Sequence, residues 1–149
     1  MMKVYLSGEI HTNWREQIIE GCKAKDLPVS FLTPVTEHAA SDEVGVDILG
    51  PETDTFWKDH KAAKINAVRI RQGIQQADLV VIKFGEQYRQ WNAAFDAGQC
   101  AALGKPYVVI HPTDPKFAHA LKEVDAQAMA TAEKEDQVVR IIEYLTTQK

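Results

Sequence analysis

The sequence predicts a single α/β domain with an open, doubly wound parallel sheet and helices on both faces. Apolar runs rich in β-branched residues alternate along the chain with helix-length segments of 3.6-residue periodicity. The runs at 79–82 and 107–110 flank one such helix, which is the pattern of a βαβ unit with parallel, buried strands. No repeat interrupts the alternation, and 149 residues are an ordinary length for one domain. We therefore expect one domain that spans residues 1–149.

The first strand is expected at 3–7, where the run KVYLS is followed by Gly8. Thr12 or Asn13 can then cap an amphipathic helix. The loop that begins at Gly8 should lie at the carboxyl end of the strand, where a glycine lets backbone amides approach a ligand. A second strand is expected at 29–32, before a Thr-Pro break.

The middle of the chain is less regular. Residues 33–54 contain two glycines, two prolines and few large apolar side chains, which predicts a long surface loop or lid, or a disordered segment. Residues 55–76 suit a helix, or two helices broken near Lys64. Its basic side chains either bind a phosphate or carboxylate or are simply solvated: Lys58, Lys61, Lys64, Arg69 and Arg71.

The segment 88–106 predicts the central helix. Alanines and Gly98 recur on one side, so we expect this side to lie close to the sheet or to another helix. Gly104 followed by Lys105-Pro106 ends the helix, because glycine adopts the left-handed C′ conformation and proline cannot continue the turn.

Three polar residues share another face of this helix, since Asn92, Asp96 and Gln99 fall at i, i+4 and i+7. Asp96 lies early in a helix that follows a parallel strand, so we expect it near the carboxyl edge of the sheet, where α/β proteins bind ligands. The alternative is a solvated polar face.

The C-terminal third predicts a short helix at 116–123, a weak last strand at 124–130 and a clear terminal helix. The apolar stripe of that last helix comprises Val138, Val139, Ile141, Ile142 and Leu145.

Composition limits the partners. A net charge of −4 and a pI near 5.7, with no Lys/Arg cluster, argue against a nucleic-acid polymer as the ligand. The first residues pass directly into a strand-like run, so we expect no signal peptide, no membrane span and a cytoplasmic protein. Cys22, Cys100 and the five histidines lack metal-ligand spacing, so we expect no metal and no cofactor.

Several motifs match known proteins. The runs VYLSGE, ADLVVIKF and WNAAFDAGQCAALGKPYVV resemble nucleoside 2-deoxyribosyltransferases. Over nearly the whole chain, including FWKDHKAAKINAVRIR, YRQWNAAFDAG and HALKEVDA, the sequence resembles the small bacterial YtoQ proteins. The broader resemblance implies a flavodoxin-like fold, a homodimer or larger homo-oligomer, and cleavage of an N-glycosidic bond through a covalent sugar intermediate on a carboxylate.

The resemblance also assigns residues. Asp96 takes the place of the catalytic glutamate, and the loop Ser7-Gly8-Glu9 takes the place of the sugar-binding loop. Four positions depart from the broader pattern, because aspartate replaces glutamate, Asn92-Ala93 replace a Gly-Thr pair, and Glu9 replaces a proline.

The chemistry of the residues agrees with part of this assignment. Cleavage through an oxocarbenium-like transition state uses a carboxylate, here Asp96, and a second group that protonates the leaving atom, here Glu9 or His11. A base can stack on aromatic side chains, although aromatic residues beside a core are often only packing. The further substrate-binding candidates are Asn66, Asn92, Tyr88, Trp91 and Trp57.

Two other functions stay open. The same pocket can bind a nucleotide or sugar phosphate without turnover, or the chain can be a structural or partner-binding protein. The distinguishing features are whether Asp96 opens into a concave pocket and whether a second ionisable group reaches the same ligand atom.

Overall fold

The computed structural model describes residues 1–148 and shows a five-stranded parallel sheet in the order β2-β1-β3-β4-β5 with seven helices. The predicted doubly wound α/β architecture is therefore confirmed. The strands are β1 Met2–Gly8, β2 Val29–Leu32, β3 Leu79–Lys83, β4 Tyr107–Ile110 and β5 Ala130–Ala132. The helices are α1 Trp14–Ala24, α2 His38–Leu49, α3 Thr55–Gln76, α4 Trp91–Leu103, α5 Lys116–Ala120, α6 Lys122–Gln127 and α7 Glu135–Thr147.

Two hydrophobic cores cover the two faces of the sheet. Because side chains alternate along a strand, Val4 and Leu6 of β1 face α1 and α7, whereas Tyr5 faces α3 and α4. Ser7 follows Tyr5 by two residues and therefore lies on the α3 and α4 side as well. This alternation brings the polar end of β1 to the helix that carries Asp96.

The strand register aligns the carboxyl ends of three strands. Gly8 pairs with Lys83, and Lys83 pairs with Ile110. The loops that leave β1, β3 and β4 therefore emerge at one edge, the place where ligands bind in open α/β sheets.

Residues 33–54 are not the irregular excursion that the sequence predicted. Most of this segment is helix α2, whose first turn is capped by the Glu37 carboxylate, which accepts from the backbone nitrogens of Ala39 and Ala40. Gly45 explains the close packing of α2 on α3, because an added Cβ there would lie 2.2 Å from the backbone nitrogen of Ala62. Small residues that lower the apolar signal are therefore what lets the two helices approach.

Helix α3 continues through Lys64 without a break, so the single-helix alternative is the right one. Its C-terminal half packs on the sheet, where Gly73 leaves room for the ring of Tyr5. Its N-terminal half pairs with α2, and the two helices form an arm beside the carboxyl edge of the sheet.

The last strand was predicted too early in the chain. Residues 122–127 form α6, and β5 is Ala130–Ala132, which pairs with Val108–Ile110 of β4. The Tyr107 hydroxyl donates to the carbonyl oxygen of Val124 at 2.5 Å, which fastens α6 over the sheet. The terminal helix α7 is confirmed. Within residues 1–148, no helix is both long and apolar enough to cross a membrane.

Helix α4 buries only part of its small-residue side. Ala93, Ala97 and Cys100 pack into the core, in agreement with the expected close approach to the sheet. Gly98 faces outward, and no atom within residues 1–148 lies within 4 Å of an added Cβ there. The expectation that Gly98 permits close packing is therefore wrong within one protomer. The predicted stop at Gly104 is confirmed by its left-handed φ of 66°.

Candidate functional site

The loop after β1 begins at a glycine that the neighbouring strand requires. Gly8 has a φ of +109°, and an added Cβ would lie 2.2 Å from the carbonyl oxygen of Lys83 in β3. Any side chain would therefore strain the backbone and break the pairing of β1 with β3. Gly8 also lines a cavity at the carboxyl edge of the sheet, so its backbone is part of the candidate site.

A buried arginine fixes the same loop. Arg15 is 4% exposed and donates to the carbonyl oxygens of Leu6 at 3.0 Å, Glu9 at 2.6 Å and Gly8 at 3.2 Å. Trp14 Nε1 adds a bond to the Glu9 carbonyl oxygen at 2.7 Å. Burial lowers the pKa of Arg15 to about 10, so the side chain remains charged at neutral pH. These hydrogen bonds therefore hold the loop in one conformation at the mouth of the site.

Asp96 lies in the second turn of α4 and faces the end of β1. Its side chain is buried, with 8% exposed, and its Oδ2 accepts a hydrogen bond of 2.5 Å from Ser7 Oγ. Gln99 Nε2, one turn further along the helix, lies 3.4 Å from Oδ1. Strand and helix thus hold one carboxyl group between a hydroxyl and an amide.

The surroundings of Asp96 favour the protonated, neutral form of its carboxyl group. Burial raises the pKa of the carboxyl group to about 6, and the hydrogen bond from Ser7 opposes part of that rise. Most Asp96 side chains are still ionised at pH 7.5, but the charge lies in poorly solvated surroundings. Such a carboxylate suits attack on a cationic centre, because the developing positive charge replaces the water that Asp96 lacks.

Tyr5 contributes an unexpected polar atom next to Asp96. The side chain is 1% exposed, and its hydroxyl has no hydrogen-bond partner within residues 1–148. Burial and then the charge of Asp96 raise the pKa of Tyr5, whereas the Arg15 and Arg69 guanidinium groups act in the opposite direction. The Tyr5 hydroxyl is therefore neutral, and it feels the charges of Asp96 and of the two arginines.

Asp96 opens into a cavity of about 910 Å³, which runs from the carboxyl edge of the sheet along the α2 and α3 arm. This volume is at the upper end of the range for small-molecule sites. At the sheet end the wall comprises Gly8, His11, Asn92, Asp96 and Gln99. At the arm end it comprises Val35, His38, Asn66, Arg69 and Arg71, among others.

Glu9 does not line this cavity. Its carboxylate accepts from the backbone nitrogen of His11 and from Thr12 Oγ1, the latter at 2.6 Å, and it is 4% exposed. Its side chain packs against Gly85, where an added Cβ would lie 2.6 Å from Glu9 Cγ. The side chain therefore holds its own loop and does not face the cavity.

His11 lies on the cavity wall and places an exposed imidazole beside the ring of Tyr88, with the ring centroids 4.6 Å apart. Tyr88, Trp91 and Trp57 are exposed, and none of the three lines the cavity. Trp57 packs instead with Phe56 and His60 on the outer side of the arm.

The two asparagines on the cavity wall differ in how much of their side-chain amide is available to a ligand. Asn92 lines the cavity from the first turn of α4 and is exposed there. Asn66 also lines it, but its amide nitrogen donates to the carbonyl oxygen of Ser41 at 3.1 Å and to Ser41 Oγ at 3.0 Å. Asn66 therefore joins α3 to α2 and leaves only its amide oxygen for a ligand.

Three residues of the site were missed from sequence. Phe95 lines the cavity and is 70% exposed, so it offers an aromatic surface on the same helix as Asp96. Tyr5 and Arg15 lie within apolar sequence patterns. Only the folded structure shows which groups surround the Tyr5 hydroxyl and the Arg15 guanidinium. A signal for Phe95 did exist, because it directly precedes Asp96 in the α4 sequence.

The fold and this cavity define the class as a flavodoxin-like α/β protein with a carboxylate site at the carboxyl edge of the sheet. Two solved structures share the fold. A conserved protein from Enterococcus faecalis V583 superposes with a TM-score of 0.61 at 15% identity and covers 97% of this chain and 99% of that one. A 2-deoxyribosyltransferase from Bacillus psychrosaccharolyticus gives 0.55 at 20% identity and covers 92% and 90%.

The sequence is more specific. The family described as "Nucleoside 2-deoxyribosyltransferase YtoQ" matches residues 5–146, and the chain belongs to this family. It is 42% identical over 142 residues to the uncharacterized protein YtoQ of Bacillus subtilis strain 168, and the match covers 95% of each chain. The predicted family membership is therefore confirmed.

Proposed function

We propose that this protein cleaves the N-glycosidic bond of a nucleoside or nucleotide, with the Asp96 carboxylate as the nucleophile. The observation that carries the proposal is a single buried carboxyl group, bonded to Ser7 and open to a cavity of about 910 Å³ at the carboxyl edge of the sheet. Membership of a family described as nucleoside 2-deoxyribosyltransferases supports the same chemistry.

The reaction has two steps. An Asp96 oxygen forms a bond to the anomeric carbon as the bond from that carbon to the base nitrogen breaks, and the base leaves with the electron pair. Water or a second base then attacks the anomeric carbon and releases Asp96 as a carboxylate. The Ser7 hydroxyl stabilises that carboxylate before attack and after release, and its bond fixes which oxygen faces the sugar.

The leaving base needs a proton and a surface. His11 is the ionisable group beside Gly8 on the cavity wall, and histidine exchanges protons near neutral pH, so we assign it the donor role. Phe95 provides a base-stacking surface on the same helix as Asp96. The backbone of Gly8 and the Asn92 amide complete the polar contacts to the sugar.

The test is turnover and binding in matched proteins. Asp96→Asn keeps the shape and the Ser7 bond but removes the nucleophile, so base release should fall by orders of magnitude while ligand-induced thermal stabilisation persists. Comparable base release by the variant would contradict the mechanism. If the parent binds nucleosides or nucleotides and releases no base from any of them, the protein is a binding module for such ligands.

We also propose that the protein works in the cytoplasm as a homo-oligomer, most simply a two-fold dimer. Trp91 is 72% exposed and Phe95 70% exposed, and together with Gly98 they form an apolar outer stripe on α4. A second copy can pack closely on this stripe because Gly98 offers no side chain. Sedimentation at high micromolar concentration tests the assembly, and a clean monomer would contradict it.

A further inference from the structure

The arm end of the cavity carries two arginines that the chemistry at Asp96 does not use. Helix α3 faces the cavity with a stripe of small or short side chains, and Arg69 and Arg71 flank this stripe on its two sides. Neither guanidinium forms an ion pair within residues 1–148. Both arginines are exposed, so each guanidinium is accessible to an anionic ligand in the cavity.

Arg69 is oriented before any ligand arrives. Its Nε donates to the carbonyl oxygen of Thr33 at 3.1 Å, which anchors one edge of the guanidinium to the segment after β2. The two terminal nitrogens remain for a ligand, and they are the pair that binds a phosphate with two parallel hydrogen bonds.

Arg69 also acts on the same buried hydroxyl as Asp96. The pKa of Tyr5, raised chiefly by burial, is raised further by Asp96 and lowered by Arg69. Gly73, one turn after Arg69 on the same side of α3, packs against the ring of Tyr5, so Arg69 lies at the end of the arm that is nearer to the sheet. A ligand that reaches Asp96 with its sugar can reach Arg69 with a substituent of that sugar.

Two further acidic residues line the arm, and neither forms an ion pair with an arginine within residues 1–148. Asp42 lies 3.1 Å from His38 Nδ1. Asp59 precedes Arg69 by ten residues on α3, about 15 Å along the helix axis. Asp59 therefore lies toward the far end of the arm, whereas Arg69 lies in the half of α3 that packs on the sheet.

We propose that Arg69 forms a phosphate subsite, with Arg71 adding positive charge from the other side of the stripe, and that the ligand of this protein is a phosphorylated sugar or nucleotide and not a free nucleoside. This inference rests on the proposed function for the position of the sugar. A phosphate monoester carries about −1.5 to −2 charges at pH 7 and three acceptor oxygens, which matches two guanidinium groups better than a carboxylate does. The cavity is large enough for base, sugar and phosphate together.

The test compares 2-deoxyribose 5-phosphate with 2-deoxyribose, and a 2′-deoxynucleoside 5′-monophosphate with its nucleoside, by calorimetric titration. The parent should bind each phosphorylated probe more tightly than its partner. Arg69→Gln should weaken the phosphorylated probes about ten- to a hundredfold and leave the others unchanged, since a hydrogen bond to a charged group has this strength. Arg69→Lys should retain part of the preference, and Arg71→Gln should reduce it.

Arg140→Gln is the matched control, because Arg140 is exposed on α7, on the other face of the sheet. It should bind all four probes as the parent does. Unliganded melting temperatures of all variants show whether the fold is intact.

Three results would overturn the subsite: equal affinity of the parent for phosphorylated and unphosphorylated probes, no binding of either phosphorylated probe, or an equal loss of both kinds in Arg69→Gln. Asp96→Asn separates this inference from the proposed function. This variant should keep the preference for phosphorylated probes and lose base release. If it still releases base, Asp96 is not the nucleophile, and the titrations alone decide whether the phosphate subsite exists.

Discussion

Asp96 should destabilise the folded protein at neutral pH, and removing its charge should reveal by how much. Burial raises the pKa of this carboxyl group from its ordinary value of 3.8 to about 6. The folded chain therefore binds the proton more tightly than the unfolded chain between these values, so the free energy of unfolding falls as pH rises through this window. Above pH 6 the full cost of the buried charge is present, and it amounts to about 3 kcal/mol.

Asp96→Asn lacks this titration and keeps an acceptor for the Ser7 hydroxyl. Relative to the variant, the parent should lose about 1 kcal/mol by pH 4.5 and about 3 kcal/mol by pH 8. Urea unfolding of both proteins at several pH values measures the difference. Asp47→Asn is the control, because Asp47 is exposed on α2, and its effect should stay within about 0.5 kcal/mol at every pH.

Two outcomes would refute the reasoning. A stability difference between Asp96→Asn and the parent that does not change with pH would mean that Asp96 has an ordinary pKa. A variant less stable than the parent at pH 8 would mean that the charge stabilises the fold, as a structural ion pair does. The predicted result identifies Asp96 as a carboxylate kept at a cost in stability, which is typical of functional residues.

Three further predictions concern the residues around Asp96. Ser7→Ala removes the hydrogen bond that lowers the pKa of Asp96, so the acid limb of the pH profile for base release should move to higher pH. Arg15→Met removes three hydrogen bonds to the carbonyl oxygens of Leu6, Gly8 and Glu9, of which the last keeps only its bond from Trp14, and should lower the unfolding free energy by roughly 3 kcal/mol or more, as urea unfolding will show. Tyr5→Phe removes a buried hydroxyl that has no partner, so it should leave the unliganded melting temperature equal or higher, and a clear drop would contradict this.

The alternation of short strands and periodic helices was sufficient to predict the sheet and the helices that cover it. Segment 33–54 could not be predicted, because α2 and α3 pack through Gly45 and Ala62, and small residues give no periodic apolar signal. The last strand was misplaced for a related reason. Its three residues Ala130–Ala132 have little strand character of their own and are held by their pairing with β4.

The residues of the candidate site were likewise only partly predictable from the sequence. Asp96 could be located from its helix position and from the motif around it, since the edge of a parallel sheet is where such a helix begins. The place of Glu9 could not be predicted, because its carboxylate turns back to its own loop instead of into the cavity. Arg15 turns back from α1 to the carbonyl oxygens of the preceding loop, and Tyr5 acts with Asp96 and Arg69, which are far away in sequence, so only the folded structure identifies the two residues.

The most direct measurement of the central claim is mass spectrometry of the protein quenched in acid during turnover of a 2′-deoxynucleoside 5′-monophosphate. If Asp96 is the nucleophile, the peptide that contains it gains the mass of one deoxyribosyl phosphate, and the gain is absent from the Asp96→Asn protein. Base release by the parent with no adduct on any peptide, together with undiminished release by Asp96→Asn, would contradict the account.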